Sequence, residues 1–410
     1  MKQFEVPTGY RSRLISAIKL KRKEQDKLKK DYSPTTLDLG KVKIHLARHF
    51  GFCYGVENAI DIAYKTIAEN EGKRIFLLSE MIHNPQVNED LLKKGVLFLQ
   101  DTSGNEIIPL SSLTSDDVVI IPAFGTTLEL EAKIQAKGID IQKYNTTCPF
   151  VEKVWNRGEQ IAKKGYSLLI HGKPKHEETR ATFSHAAANT PSLILNDMAD
   201  TIVLGKIITG ELPLSHFENY FKGKHSIDFD PAIHLQKFGV INQTTQLATD
   251  TQAISDYLKE IIVEKYGAEH IAAHFADTRD TLCYATNDNQ SAVIGLLNVP
   301  ADLAIVMGGK NSSNSSHLVE LCEQKLPTYF IDDANKIIDA DHIISTDWRT
   351  KQDNTIANYL PKEGSVTILM TSGASCPDTV VESVIRKITA FYGIENYLEC
   401  MVEMWETLTP

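Results

Sequence analysis

Three cysteines carry the most legible chemistry in this sequence. Cys53 lies in Gly51-Phe-Cys-Tyr-Gly-Val56, Cys148 in Thr147-Cys-Pro149, and Cys283 in the stretch running from Asp280 to Thr286. Ahead of Cys53, residues 42–47 alternate like a strand; behind it Val56, Ala59, Ile60, Ala63 and Ile67 recur at helical spacing. A thiol at a strand-to-helix junction feels the positive end of the helix macrodipole, which favours thiolate, the form that binds metals. A polar loop follows each cysteine at 30, 28 and 29 residues, at His83, His176 and Ser312. A further loop follows later in each stretch: a Gly-Thr-Thr run from Gly125, Gln243-Thr244-Thr245, and Thr371-Ser-Gly-Ala-Ser375.

The elements that must position these residues repeat as well. Strand-like runs at 75–80, 96–99 and 118–125 follow the first cysteine. Runs at 139–144, 166–170, 192–195 and 238–241 surround the second, and runs at 270–275, 303–307, 328–331 and 366–370 the third. Strands separated by helix-length segments imply parallel βαβ units, whose ligands bind at the carboxyl ends of the strands. The spacing predicts a basic N-terminal extension over 1–40 and α/β modules over 41–145, 146–275 and 276–410, the last with a C-terminal tail. Facing inward around a pseudo-threefold axis, three such modules bring the cysteines to one central point. Residues 200–235 read as an inserted helix and loop without chemistry.

Composition narrows the class. The chain has 410 residues, enough for two or three domains, with 42% hydrophobic and 23% charged residues. No apolar run reaches the length of a membrane span and no signal-peptide pattern follows Met1, so a cytoplasmic protein without a membrane partner is expected. A net charge of −10 argues against general nucleic-acid binding and leaves room for a local positive pocket. Six cysteines are too sparse for a disulfide scaffold. Residues 1–30 hold ten Lys or Arg against three acids, and Leu14, Ile15, Ile18 and Leu20 suggest a short amphipathic helix lying on the body. Ser33-Pro34 ends it, and the folded core is expected to begin near Lys41.

Three convergent thiolates repel one another and need a cation. Zinc in a closed site takes a fourth ligand, for which His45, His49 and His274 are candidates. An iron–sulfur cluster usually takes four thiolates, so three leave one iron open as a Lewis acid. His83, His176, Thr244, Ser312, Ser313, Asn314 and Ser375 are neutral or weakly basic donors at strand-to-helix junctions, a set that suits phosphate. The residues thus point to an enzyme that joins a metal cluster to a phosphorylated small molecule.

Gly51-Phe-Cys-Tyr-Gly-Val56, His83-Asn84-Pro85, Thr147-Cys-Pro149, His176-x-Glu178, Gln243-Thr-Thr245, Lys310-Asn-Ser-Ser-Asn-Ser315 and Thr371-x-Gly-Ala-Ser375 together resemble the 4-hydroxy-3-methylbut-2-enyl diphosphate reductase family. The motifs run in that family's order from residue 43 to about 395, and the extension and insertions are similar to its cyanobacterial and plant branch. The resemblance implies an α/β trefoil around a [4Fe–4S] cluster held by Cys53, Cys148 and Cys283, with one open iron. It implies reductive removal of the substrate hydroxyl to give isopentenyl and dimethylallyl diphosphate, the last step of the non-mevalonate isoprenoid pathway. By the same matching, His83, His176, Ser312, Asn314 and Ser375 hold the diphosphate, and Thr244 and Glu178 stand at the hydroxymethyl end. Ala123-Phe124-Gly125 departs from the Ala-His-Gly loop of the shorter bacterial branch, which removes one expected contact. Cys322, Cys376 and Cys400 match no ligand position. The chain shows no flavin or dinucleotide fingerprint, so electrons come from an external carrier such as ferredoxin or flavodoxin. Two other readings stand beside this one: an iron–sulfur hydro-lyase or isomerase acting as a Lewis acid on a phosphorylated small molecule, and a non-catalytic sensor.

Overall fold

The computed structural model describes residues 4–28, 30–276, 281–361, 364–394, 398–400 and 403; Asp280, where the third cysteine stretch begins, lies outside the described residues. The chain divides into two units. One comprises Met1–Glu57, His83–Asn88 and Tyr284–Pro410, the other Asn58–Ile82 and Glu89–Cys283. Both are α/β with parallel sheets, as the alternation of strands and helices predicts.

The first unit is built on a five-stranded sheet in the order Thr35–Asp38, Val42–Leu46, Val366–Ser372, Leu303–Met307, Thr328–Ile331. The first pair is antiparallel and the rest are parallel. Leu303–Met307 is buried throughout and Val366–Ser372 nearly so, which suits strands covered on both faces. Val42–Leu46, read from sequence as the opening of a module over 41–145, pairs instead with Val366–Ser372, Leu46 opposite Met370. A short run of branched apolar residues fits many parallel neighbours, so the strand does not encode its partner.

The folded body also begins well before Lys41. Thr35–Asp38 adds an antiparallel strand with Leu37 fully buried. Ahead of it, Ser12 caps the helix Arg13–Gln25 by accepting from the Ile15 amide at 2.9 Å. That helix buries Leu14, Ile15 and Ile18 while Leu20 stays exposed, and it packs on the helix Asp378–Phe391. Each such side chain contributes about 1.5–3 kcal/mol, so three of them outweigh the solvated lysines on the other face. Lys19 adds an ion pair to Asp378 at 2.7 Å. A separate antiparallel hairpin joins His342–Thr346 to Asp353–Ala357.

In the second unit, Val96–Phe98, Ile75–Leu77 and Val118–Ile120 form a three-stranded parallel sheet. Ser192–Leu195, Ser167–His171, Phe238–Asn242 and Phe275–Ala276 form a four-stranded one, also parallel. The inserted stretch contributes helices Met198–Thr209, Phe217–Phe221 and Pro231–His234, and Phe217 and Phe221 are fully buried in a core with Leu204, Ile254 and Leu258. Residues 270–275 are not a strand as the sequence suggests. Ile271–His274 is a helical turn, held by the His274 ring stacked on Tyr266 at 3.6 Å, and only Phe275–Ala276 pairs with Phe238–Gly239. No helix among the described residues is long and apolar enough to cross a membrane.

Candidate functional site

In the first unit, Cys53 stands immediately before the helix Tyr54–Glu69. Its amide donates to the Ala374 carbonyl at 3.1 Å, and its carbonyl accepts from Glu57 at 3.0 Å. Gly51 makes the turn at φ 79°, and a β-carbon there would stand 2.6 Å from the Asp378 carboxylate. The Tyr54 amide donates to the Tyr284 hydroxyl at 3.0 Å, which fixes the start of the helix.

The polar residues of this unit gather where Leu303–Met307 and Val366–Ser372 end. Ser312 caps the helix Ser313–Glu323, its hydroxyl accepting from the Ser315 amide at 3.1 Å. Ser315 is wedged in so tightly that its side chain occupies the space a β-carbon on Gly308 or Gly373 would need. Likewise the His83 carbonyl sits where a β-carbon on Gly309 would be, and it accepts from the Ser375 hydroxyl at 3.2 Å. Asn314 accepts the Ala374 amide at 3.0 Å. His83, Ser312, Ser313, Asn314 and Ser375 are thus brought together, all buried, with Cys53 one hydrogen bond from the same 374–375 loop. Ser315 and Gly373 lie within the quoted motifs but were given no role there, and Gly308 lies outside them; the Gly-Gly pair directly after a strand is the sign of close backbone approach.

In the second unit, Cys148 caps the helix Pro149–Ala162, with proline at the first helical position. Its amide donates to the Ala123 carbonyl at 2.9 Å, and the preceding Thr147 is pinned through its amide and hydroxyl to Asn145. Phe124, next to Ala123, meets the His176 ring edge-on at 5.7 Å. His176 caps the helix Glu177–Ala187, and its Nδ1 accepts from the Glu178 amide at 3.2 Å. An accepting Nδ1 leaves the proton on Nε2, so the ring is a donor at that atom.

The two adjacent carboxylates part company here. Glu177 hydrogen-bonds the Ser79 hydroxyl, whereas Glu178 accepts the Thr244 amide at 2.5 Å. The Thr244 carbonyl in turn accepts from the Cys283 amide at 3.2 Å, so Glu178, Thr244 and Cys283 form one hydrogen-bonded run. Gln243 anchors it by accepting from Thr179 at 3.0 Å, and Thr281 bonds Asn242. A cavity of about 1090 Å³ lies elsewhere in this unit, lined by Arg157, Lys259 and Asp256 among others, and holds none of the sequence-derived residues.

The thiols differ in state. Cys53, Cys148 and Cys283 are half-buried, Cys322 and Cys376 fully buried, and Cys400 exposed. Burial pushes Cys322 and Cys376 up to about 12, which leaves both inert at neutral pH. Burial also raises Cys53 above its ordinary value, although neighbouring backbone amides pull the other way. The helix end alone therefore does not make Cys53 a thiolate. Among the histidines considered for zinc, His45 bonds Thr36 at 2.9 Å and His274 bonds the Gln236 carbonyl at 2.6 Å. Cys53 belongs to one unit and Cys148 and Cys283 to the other. Among the described residues, neither unit by itself gathers three His, Cys, Asp or Glu side chains into a metal-holding group.

Residues 44–389 match the LytB protein family. A 4-hydroxy-3-methylbut-2-enyl diphosphate reductase from Microcystis aeruginosa is 40% identical over 358 residues, covering 87% of this chain and 86% of its own length. One of the same description from Cyanothece is 39% identical over 357 residues, with coverages of 86% and 85%. Among solved structures, the E-1-hydroxy-2-methyl-but-2-enyl-4-diphosphate reductase from Plasmodium falciparum matches the fold with a TM-score of 0.60 at 22% identity, over 84% of this chain and 86% of its own. The chain belongs to the LytB protein family.

Proposed function

We propose that the chain is an oxidoreductase that removes the hydroxyl of 4-hydroxy-3-methylbut-2-enyl diphosphate, giving isopentenyl and dimethylallyl diphosphate as the last step of the non-mevalonate isoprenoid pathway. The balance is simple. The C–O bond breaks and the oxygen departs as water; two electrons from an external carrier such as ferredoxin or flavodoxin and two protons complete the change. Cys53, Cys148 and Cys283 fit a [4Fe–4S] cluster: each precedes a helix, each is half-buried, and two of the three histidines considered for a zinc set, His45 and His274, are engaged in the fold. When bound, the cluster supplies electrons and an open iron for the substrate oxygen. The observation that carries the reading is the hydrogen-bonded run Glu178–Thr244–Cys283, in which a candidate proton donor and a candidate iron ligand share one backbone segment. The Thr244 amide holds one carboxyl oxygen of Glu178, which positions the acid for proton delivery.

The remaining residues bind and orient. His83, His176, Ser312, Asn314 and Ser375 receive the diphosphate through neutral donors and helix N-termini. Anaerobic turnover assays that follow reductant consumption together with product test the whole reading. Two electrons consumed per isopentenyl or dimethylallyl diphosphate formed is the expected result; turnover without reductant consumption would mean Lewis-acid chemistry instead.

The diphosphate contacts have their own test. A charge-assisted hydrogen bond contributes roughly 1.5–3 kcal/mol, so His83→Ala is expected to raise the substrate Kd by about 10- to 150-fold. Phe124 meets the His176 ring edge-to-face and carries no polar group, and Phe124→Leu is expected to cost less than about tenfold. Equal losses in the two variants would remove His83 from the diphosphate site.

A further inference from the structure

The N-terminal extension is anchored on the helix Asp378–Phe391 by contacts that do not need the cysteine turn. Leu14, Ile15 and Ile18 are buried, Ser12 hydrogen-bonds Glu382, and Thr379 donates to the Gly9 carbonyl at 3.1 Å. A second set of its residues reaches the turn itself. Phe4 meets the Tyr54 ring edge-on at 4.9 Å, and Tyr10 meets Phe52 in the same way at 5.8 Å. The Lys19 ammonium lies 4.8 Å from the centre of the Phe50 ring. Every second residue from Phe50 to Tyr54 is thus held by the extension, and the residues between them are Gly51 and Cys53. At Gly51 the ion pair of Lys19 and Asp378 takes up the space of a side chain. A β-carbon there would stand 2.8 Å from Nζ and 2.6 Å from the carboxylate. Burial raises the Cys53 thiol, and the amides of Val56 and Gly55, which hydrogen-bond it, act the other way. Those amides keep their aim only while the turn that opens the helix Tyr54–Glu69 keeps its shape.

We propose that Phe4, Tyr10 and Lys19 are positioning residues for the cluster, fixing the Phe50–Tyr54 turn so that Cys53 and its amide donors meet the iron–sulfur group in one geometry. The proposal rests on the assignment of Cys53 as a cluster ligand. A turn that contains glycine has few backbone restraints of its own, so the two aromatic edges and the ammonium supply them. Hydrogen bonds to a ligating sulfur help set a cluster's potential, and the residues that orient a ligand govern how firmly the metal is kept.

Two variants of the full, cluster-loaded chain test this: Tyr10→Leu, and Lys19→Met made together with Asp378→Asn so that no lone carboxylate faces the turn. Both keep an apolar side chain in place, so the extension stays folded. The readouts are iron loss to a chelator, the reduction potential from a spectroscopic titration, and melting temperature. Expected are iron loss about tenfold faster, a shifted potential and a melting temperature within a few degrees of the parent, with Lys19→Arg close to the parent throughout. Parent-like iron loss and potential in both variants would overturn the proposal. Faster loss that tracks a fall in melting temperature, and that Ser12→Ala reproduces, would mark a purely stabilising part and also count against it, since Ser12 anchors the extension through Glu382 and the Ile15 amide. Iron retained by Cys53→Ser as firmly as by the parent would overturn the ligand assignment, and the proposal with it.

Discussion

Serine at Cys53, Cys148 or Cys283 is expected to strip most of the iron and nearly all turnover, whereas serine at Cys322, Cys376 or Cys400 leaves both close to the parent. The distinction follows from the environments of the thiols. The first three are half-buried and begin helices, where a metal can reach them. Cys322 and Cys376 are sealed in the core and held at about 12, so neither offers a thiolate. A serine hydroxyl in place of Cys322 or Cys376 costs about 1–3 kcal/mol if it finds no partner, so melting temperature is read beside iron content and visible absorbance. Iron lost in the second group and kept in the first would show that the ligands had been wrongly chosen.

Glu178→Gln is expected to keep the cluster and bind substrate yet lose turnover by about 10²- to 10⁴-fold, the usual worth of a positioned general acid. Glutamine's amide oxygen can still accept the Thr244 amide, so the run to Cys283 survives and only the transferable proton is lost. Glu177→Gln is the matched control, since its carboxylate serves Ser79 instead. Single-turnover measurements on pre-reduced protein isolate this chemical step from electron delivery. A Glu178→Gln rate within a few-fold of the parent would move the proton source to Thr244 or to the substrate's own diphosphate.

What could be read from the sequence was local chemistry. Gly51 and Gly55 around Cys53 and Thr147 and Pro149 around Cys148 announce a turn into a helix, and Ser312 followed by Ser315 announces a cap. The partner of Val42–Leu46 could not be read, because a strand's side chains report burial and not the identity of its neighbour. The turn at Ile271–His274 was missed because stacking on Tyr266, a tertiary contact, decides it. That the adjacent carboxylates of Glu177 and Glu178 take different partners needed coordinates.

The pairing of Leu46 with Met370 has a consequence for how the chain reaches this state. Val42, Ile44 and Leu46 leave the ribosome long before their partner strand Val366–Ser372 is made. Until Val366–Ser372 emerges, the nascent N-terminal segment displays an apolar strand with an unfilled edge, the kind of surface that invites chaperones or self-association. The antiparallel strand Thr35–Asp38 can close one side of it at once, because that partner is its near neighbour in sequence. The other side waits for a closure of very high contact order, which makes this sheet the expected slow step in folding and the first casualty of C-terminal truncation.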